Sequence, residues 1–431
     1  MSLPEDLSRE ELEAVQLERF TVLVQDVLSG NAFWKKRFEE SGWGSAVDVT
    51  TRLDGLRLLS EFPVCSKQDF VADQDENPPY GTNLSEPLSG YTRLHQTSGT
   101  TGRPLRWLDT PAAWRNLLDA WSQMFRIAGV TAEDRFAFPF SFGPFIGFWA
   151  AFEGAVESGH LCLPGGGMSS GARLRLIEDN QATVLCCTPT YALRLAEVAR
   201  EEAVDLASGS VRMLIVAGEP GGSVPGVREE IESAWGARVI DHWGMTELGP
   251  IAVECVEGPG GMHVLEGECV AEIVDPDTLE KVPPGEQGEL LVTTLRRTGS
   301  PVLRYRTGDL VVADSEPCPC GRALLRLKGG ILGRADDMLT VRGNNVFPSS
   351  IEAVIRRVSG VAEFRVVIGS ESALDRFSVE IEPVAGAAVD EVLAGVEAGI
   401  RETFNFQAEV SAVGPGQLPR FELKGRRFVR K

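Results

Sequence analysis

The segment from Thr97 to Pro104 combines hydroxyl and glycine residues in the manner of a loop that binds phosphate. Glycines let backbone amides approach an anion closely, and Ser and Thr hydroxyls add short donors. Such clusters are also common in ordinary polar turns, so the segment alone leaves both interpretations open. The candidate phosphate-binding residues are Thr97, Ser98, Gly99, Thr100, Thr101 and Gly102.

Two motifs further along the chain place carboxylates at predicted turns. In Tyr305–Asp309, the Asp309 carboxylate follows a glycine, the usual chemistry for holding a pair of ribose hydroxyls. The other motif follows a predicted strand at 237–240. It offers an aromatic ring that could stack on a base, a hydroxyl that could touch a phosphate and an oxygen ligand for a hard cation. Taken singly, each is better explained as a capped turn. The second motif consists of Asp241, His242, Trp243, Gly244, Met245, Thr246 and Glu247.

The segment from Phe138 to Trp149 is dense in aromatic residues and glycine, which suggests a flat apolar slot between rings. Half or more of these side chains are expected to belong to the core instead. The candidate slot residues are Phe140, Ser141, Phe142, Gly143, Phe145 and Ile146, joined by Gly244.

Cys255, His263, Cys318 and Cys320 form a third constellation. Three thiolates and one imidazole are a complete tetrahedral zinc set, and a closed set of this kind is structural rather than catalytic. The Cys318–Cys320 spacing is tighter than in common zinc fingers. Spacing alone therefore favours zinc and free buried cysteines about equally.

Composition restricts the class of protein. The chain has 431 residues, 43% of them hydrophobic, and a net charge of −20. This negative net charge argues against binding to nucleic acid or to an anionic membrane through the overall electrostatic field of the protein. An anionic ligand must therefore be held by local hydrogen-bond donors. The N-terminus lacks the pattern of a signal peptide and no apolar run has membrane-spanning length, which predicts a cytoplasmic protein. The adjacent Cys186 and Cys187 suit reduced thiols in a buried strand.

Strands that alternate with helices must position these motifs. Apolar runs at 184–187 and 213–216 each precede a helix, which favours an α/β fold with mixed sheets covered by helices. Ser8 and Glu11 predict a capping box for the first helix. Residues 261–310 form a predicted β-rich subdomain, and a small α+β domain follows. We predict a large N-terminal domain over 1–332 and a C-terminal domain over 333–431.

In their order and spacing, these motifs resemble those of the adenylate-forming superfamily of acyl-CoA synthetases. Gly333–Asp337 and Lys424 complete the set. The phenylacetate-CoA ligase branch is closer still, because of His95-Gln96, the segment Val341–Pro348 and the tail Leu418–Lys424. The resemblance runs from about Glu61 to the C-terminus.

The resemblance implies a two-step ATP-dependent reaction. A carboxylate attacks the α-phosphate of ATP to give acyl-AMP and pyrophosphate, and the thiol of coenzyme A then displaces AMP. The Thr97–Gly102 loop would hold the β- and γ-phosphates, Glu247 would bind Mg²⁺ and Thr246 would contact the α-phosphate. The adenine would lie against Gly218, Glu219 and Pro220, and the ribose would be held by Asp309 and Arg334.

The resemblance also gives the C-terminal domain the role of a rotating lid. Lys424 would be the adenylation lysine, Asp336 the hinge, and Gly343 a residue that lines the pantetheine tunnel. Three departures limit this transfer. Arg103 stands where many members carry Lys, Leu105 stands at a second frequent Lys position, and Asn345 replaces an Arg found in many acyl-CoA synthetases.

The predicted function is therefore that of an aryl-CoA ligase acting on phenylacetate, benzoate or a substituted benzoate such as anthranilate. One alternative is an adenylation enzyme that loads an aryl acid onto the phosphopantetheine of an acyl carrier protein. Another is a non-catalytic adenylate-binding protein. The resemblance favours structural Zn²⁺ at the Cys/His constellation and leaves a homodimer open.

Overall fold

The computed structural model describes residues 3–43, 56–97, 104–335, 339–341, 344–369, 376–404, 406–421 and 425–430. Two compact units make up the chain. Unit one contains residues 1–167, 182–186 and 240–330, and unit two contains residues 168–181, 187–239 and 331–431. The predicted division into 1–332 and 333–431 stays a prediction.

The helices are α1 (Arg9–Gly30), α2 (Ala32–Glu40), α3 (Lys67–Glu76), α4 (Pro111–Ile127), α5 (Ile146–Glu157), α6 (Ser170–Asp179), α7 (Pro189–Glu201), α8 (Pro225–Trp235), α9 (Pro348–Arg356) and α10 (Val389–Phe404). The predicted capping box at α1 is confirmed. The Ser8 hydroxyl accepts the Glu11 amide at 3.3 Å, and the Glu11 carboxylate accepts the Ser8 amide at 2.9 Å. These two bonds satisfy amides that have no partner within the helix.

The strands up to residue 328 are β1 (Arg93–Gln96), β2 (Arg106–Asp109), β3 (Arg135–Phe138), β4 (Leu161–Pro164), β5 (Val184–Cys187), β6 (Met213–Val216), β7 (Arg238–Met245), β8 (Gly249–Glu254), β9 (Gly261–Val264), β10 (Cys269–Val274), β11 (Gln287–Thr294), β12 (Tyr305–Val312) and β13 (Arg326–Lys328). The later strands are β14 (Gly333–Arg334), β15 (Leu339–Val341), β16 (Asn344–Val346), β17 (Val361–Gly369), β18 (Arg376–Pro383), β19 (Glu409–Ala412) and β20 (Phe428–Arg430). The mixed α/β architecture predicted from the sequence is confirmed.

Unit one contains parallel and antiparallel strand pairs. Strand β3 pairs in parallel with β4 and β5, whereas β7, β8, β9 and β13 follow one another in antiparallel register. Strands β10, β11 and β12 form the predicted β-rich part, and β1 and β2 form a hairpin. The hairpin and the β7–β8 turn carry the two motifs predicted to contact phosphate.

In unit two, the final segment has the predicted α+β composition. Strands β17 and β18 are antiparallel, and β20 and β19 add to them in parallel. Helices α9 and α10 supply Ile351, Ile355, Val396 and Ile400 to a buried core shared with this sheet. The apolar residues of α10 recur at helical spacing, so they form one buried face of the helix.

Candidate functional site

The turn between β7 and β8 carries Thr246 and Glu247. The side chain of Glu247 is only 2% exposed. Its Oε1 lies 3.3 Å from the hydroxyl of Tyr305 and 4.0 Å from the Nζ of Lys67, at the start of α3. A buried carboxylate needs such partners to remain charged. The turn therefore presents an oxygen ligand of the kind that Mg²⁺ prefers.

The phosphate-loop prediction falls between β1 and β2. Ser98, Gly99, Thr100, Thr101, Gly102 and Arg103 lie outside the described residues. The base of the loop is closed, because the Thr97 amide donates to the Leu105 carbonyl at 3.0 Å and the Leu105 amide donates to Thr97 Oγ1 at 3.1 Å. Leu105 is buried, so this position supplies packing in place of the lysine seen in the wider superfamily.

Arg297 connects this hairpin to the Glu247 turn. Its Nε and Nη2 donate to the two carboxylate oxygens of Asp109, the last residue of β2, at 2.7 Å each. Its Nη1 donates to the main-chain carbonyl of Thr246 at 2.6 Å. One rigid guanidinium thus ties the end of β2 to the β7–β8 turn. Sequence reasoning missed Arg297, because no local motif marks it.

Asp309 lies within strand β12, and not at an ordinary turn as predicted. The register between β11 and β12 shifts here, and Gly308 has a φ of +74°. The register shift makes this feature a β-bulge, and glycine adopts the required conformation without a steric penalty. The Gly308 amide donates to Glu289 Oε1 at 3.2 Å, and the buried Asp309 donates its own amide to Thr307 Oγ1 at 3.0 Å. Arg334 belongs to β14 in unit two.

The residues from Asp241 to Gly244 also continue a strand. Strand β7 extends to Met245, so the predicted end at residue 240 is wrong. The reason is cross-strand pairing, in which His242 lies opposite Val253. The His242 ring meets Trp121 edge-on at 4.8 Å, and loss of hydration lowers the pKa of His242 to about 4. Gly244 lacks a side chain where the Gly249 carbonyl approaches. Nucleotide contacts by Asp241, His242, Trp243 and Gly244 stay predictions.

The aromatic segment divides into core and partly exposed rings. Phe140 and Ile146 are buried, as expected for part of the segment. Phe142, Phe145 and Trp149 are partly exposed, and the rings of Phe142 and Trp149 lie 4.8 Å apart. Trp149 Nε1 donates to the Gly143 carbonyl at 2.8 Å, which fixes the loop before α5. Ser141 is exposed. Contact of the partly exposed rings with an acyl group stays a prediction.

The Gly218–Pro220 turn follows β6 in unit two. Gly218 has a φ of +93°, and Gly218 and Pro220 are exposed. Both oxygens of Glu219 accept main-chain amides: Oε1 accepts from Thr190 at 2.9 Å, and Oε2 accepts from Gly425 at 2.6 Å. The Glu219 side chain is therefore engaged with protein, while the turn itself stays open to an adenine.

The four predicted metal ligands come together in unit one. The ligand atoms of Cys255, His263, Cys318 and Cys320 all lie within 4.8 Å of one another. The Sγ atoms of Cys255 and Cys318 are 3.5 Å apart, and Cys320 Sγ is 3.3 Å from His263 Nε2. Tetrahedral bonds of about 2.3 Å imply ligand separations of about 3.8 Å, so the set fits one zinc ion.

The surroundings of this cluster favour metal binding. Burial lowers the pKa of His263 to about 4, which keeps the imidazole neutral. Burial alone would raise the pKa of Cys320, but hydrogen bonds from the Arg322 backbone and neighbouring thiols lower it. Burial and the Cys318 thiol raise the pKa of Cys255 to about 12, a shift that a bound cation would reverse. Gly258 approaches Cys318 where any side chain would collide.

Three residues named from the family resemblance lie outside the described residues: Asp336, Gly343 and Lys424. Asn345 belongs to strand β16. Among the helices that the structure describes, none combines the length and apolarity required to cross a membrane.

Comparison with known proteins relates these features to a family. The AMP-binding enzyme family matches residues 85–295, and the AMP-binding enzyme C-terminal domain matches residues 343–431. Phenylacetate-coenzyme A ligase of Thermus thermophilus is 32% identical over 97% of this chain and 96% of that protein. The Escherichia coli phenylacetate-coenzyme A ligase is 30% identical over 97% and 95%. The crystal structure of 2-hydroxyisobutyryl-CoA ligase in the postadenylation state with 2-HIB-AMP has a TM-score of 0.93 at 31% identity, covering 99% of this chain and 91% of that chain.

The chain therefore belongs to the AMP-binding enzyme family, the adenylate-forming superfamily that its motifs resemble. Within the family it falls in the phenylacetate-CoA ligase-like branch and is an AMP-forming acid–CoA ligase.

Proposed function

We propose that this protein is an aryl-CoA ligase that activates phenylacetate, benzoate or a substituted benzoate such as anthranilate. The observation that carries the proposal is the group of partly exposed rings at Phe142, Phe145 and Trp149, on the segment expected to face the acyl group. Aromatic rings at offset or edge-on separations of this kind provide a flat apolar slot that suits another ring. Phenylacetate is also the acid named for the Thermus thermophilus and Escherichia coli relatives.

The proposed chemistry has two balanced steps. In the first, a carboxylate oxygen of the acid bonds to the α-phosphorus of ATP while the bond to the β-phosphate oxygen breaks and pyrophosphate leaves. In the second, the CoA sulfur bonds to the acyl carbon while the bond from that carbon to the phosphate oxygen of AMP breaks; AMP leaves and the thiol proton passes to solvent. Neither step needs a protein nucleophile, so the protein contributes position and charge neutralisation.

Each candidate residue has a defined role in the first step. Glu247 would hold Mg²⁺, which supplies charge neutralisation at the phosphates when bound. Thr246 would contact the α-phosphate, Lys424 would bridge it to the substrate carboxylate, and the Thr97–Gly102 loop would hold the leaving pyrophosphate. Asp309 and Arg334 would hold the ribose, and the Gly218–Pro220 turn the adenine.

For the second step, we extend the proposal to the final domain, residues 333–431. It would rotate about Asp336 and bring Gly343 to the pantetheine arm. The acceptor is proposed to be free coenzyme A; an acyl carrier protein is the competing acceptor. A homodimer is a further expectation from the family resemblance.

The experiment that tests the substrate class is a pyrophosphate-release screen. The acids are phenylacetate, benzoate, anthranilate, 2-hydroxyisobutyrate and hexanoate, each with and without CoA. We expect the highest kcat/KM for an aryl acid and a CoA thioester as product. A preference for 2-hydroxyisobutyrate or hexanoate would overturn the aryl assignment. Thioester formed only on a holo carrier protein would overturn the choice of acceptor.

We further propose that Cys255, His263, Cys318 and Cys320 bind one structural Zn²⁺. Support comes from the convergence of all four ligand atoms and from the absence of any side chain at Gly258. A set of four protein ligands leaves no open position for substrate, so the role is to fasten β8 and β9 to the Cys318–Cys320 loop.

A further inference from the structure

The carboxylate of Glu219 accepts two main-chain amides from distant parts of unit two. The Thr190 amide, in the first turn of α7, donates to Oε1 at 2.9 Å, and the Gly425 amide donates to Oε2 at 2.6 Å. Both bonds are charge-assisted, which makes them stronger than bonds between neutral groups. Glu219 thus links segment 187–239 to segment 331–431 of the same unit.

The tail is attached at further points on either side of this bond. Arg427 donates to Thr190 Oγ1 at 3.2 Å and to Glu363 at 2.7 Å. Arg420 donates to Glu382 Oε2 at 3.1 Å and lies 3.3 Å from Glu197 of α7. Attachment at residues 420, 425 and 427 therefore surrounds position 424 in the sequence.

Gly425 is bonded directly to Lys424, whose own position lies outside the described residues. The bond from its amide to Glu219 holds Gly425, the residue that follows Lys424 in the sequence. We propose that Glu219 is the positioning residue that holds the tail for adenylation by Lys424. This inference rests on the proposed function, because it needs Lys424 to act on the carboxylate and the α-phosphate.

The role of Glu219 should be confined to one half-reaction. In the proposed lid rotation, segment 331–431 moves relative to segment 187–239, and the bonds from Glu219 to Gly425 and from Arg427 to Thr190 must break. The bond from Glu219 to Gly425 then contributes nothing to attack by the CoA thiol, whereas the bond from Thr190 to Glu219 lies within segment 187–239 and need not break. A purely structural residue would affect both half-reactions alike.

Glu219→Gln is the discriminating variant. A carboxamide keeps the size of the side chain but has one oxygen acceptor, and its NH₂ group would face an amide donor. The matched control is Glu202→Gln, since Glu202 follows α7 and pairs with the exposed Arg175 at 3.1 Å. Glu219→Asp is a second variant whose shorter side chain cannot reach both amides.

The two half-reactions are measured separately in the full-length enzyme. Acid-dependent ATP–pyrophosphate exchange reports adenylation, and thioester formation from presynthesised acyl-AMP and CoA reports thiolation. We expect Glu219→Gln to slow adenylation roughly 10- to 100-fold, the range for losing a charge-assisted hydrogen bond. Thiolation should fall clearly less than adenylation, because only adenylation needs the bond to Gly425, and Glu202→Gln should change neither rate.

Two additional readouts make the test decisive. In a Lys424→Ala background, Glu219→Gln should lower the remaining adenylation rate by less than about twofold, because the two residues act as one unit. Hydrogen exchange over residues 417–431 should be faster in Glu219→Gln and unchanged in Glu202→Gln, whatever the acid.

Equal losses in both half-reactions, full additivity with Lys424→Ala, or unchanged exchange would each overturn the assignment. If the wild-type enzyme adenylates none of the acids, the proposed function is refuted. The hydrogen-exchange data would still show whether Glu219 holds the segment around Gly425.

Discussion

The guanidinium of Arg297 and the carboxylate of Asp109 form a bidentate pair with two hydrogen bonds of 2.7 Å. Asp109 is 0% exposed and Arg297 is 2% exposed, so both charges are removed from water. Burial alone would raise the pKa of Asp109, but Arg297 and His95 hold it below its ordinary value. The pair is therefore ionised in the folded protein, and Arg297 can hold both Asp109 and the carbonyl of Thr246.

Replacing Arg297 by Met should strongly destabilise unit one. The variant leaves the Asp109 carboxylate buried without its guanidinium, and removing one partner of a buried ion pair costs about 3–5 kcal/mol. Urea unfolding at pH 7 measures the loss. Arg175→Met is the control, because its pair with Glu202 is exposed and is expected to contribute less than about 1 kcal/mol. A loss below about 1 kcal/mol in Arg297→Met would contradict a structural role for the pair.

Protonation of His242 should make the protein less stable as pH falls below neutrality. The pKa of His242 is about 4 in the folded protein against an ordinary value of 6.5, so between these values the unfolded chain binds more protons. The free energy of unfolding then falls with decreasing pH by up to about 1.4 kcal/mol per pH unit. Above pH 6.5 this contribution is fully present.

The measurement compares urea unfolding of wild type and His242→Leu between pH 7 and 5. The other three histidines are common to both proteins, so the difference in slope isolates His242. We expect a shallower pH dependence in the variant. Parallel pH profiles would show that the folded protein protonates His242 normally.

Protein purified without added zinc should contain about one equivalent of the metal. Cys255→Ser and Cys320→Ser should each lose most of it and lower the melting temperature, because metal binding contributes directly to folding free energy. Cys162→Ser is the control, since this half-buried cysteine lies outside the cluster. Metal analysis and thermal unfolding check both effects. A protein free of zinc, or an equal loss in Cys162→Ser, would refute the site.

Elements with local signals were predictable from the sequence. The capping residues Ser8 and Glu11 define the start of α1, and the apolar period at Val392, Val396 and Ile400 defines α10. These signals depend on neighbours within one or two helical turns, so they survive without knowledge of the fold. The same is true of the adjacent cysteines at 186 and 187, which lie in the predicted buried strand as free thiols.

Features that depend on distant partners were missed. The polar residues after Ile240 look like a turn, but pairing with β8 extends the strand to Met245. Lys67 and Arg297 carry no motif and gain importance only because folding brings them to Glu247 and Thr246. The sequence placed Glu219 beside adenine through its turn, yet its carboxylate is committed to two amides that lie far apart along the chain.

Replacing Lys424 by Ala should separate the two half-reactions. Its ammonium is proposed to neutralise charge as the carboxylate attacks the α-phosphate, so adenylation should fall by orders of magnitude. Thiolation of presynthesised acyl-AMP should remain within a few-fold of wild type, because the proposed rotation of the lid removes Lys424 from the reaction centre. Lys281→Ala is the control, since Lys281 is an exposed lysine distant in sequence from the tail. Pyrophosphate exchange and single-turnover thioester formation give the two rates, and an equal loss in both would contradict the assigned role of Lys424.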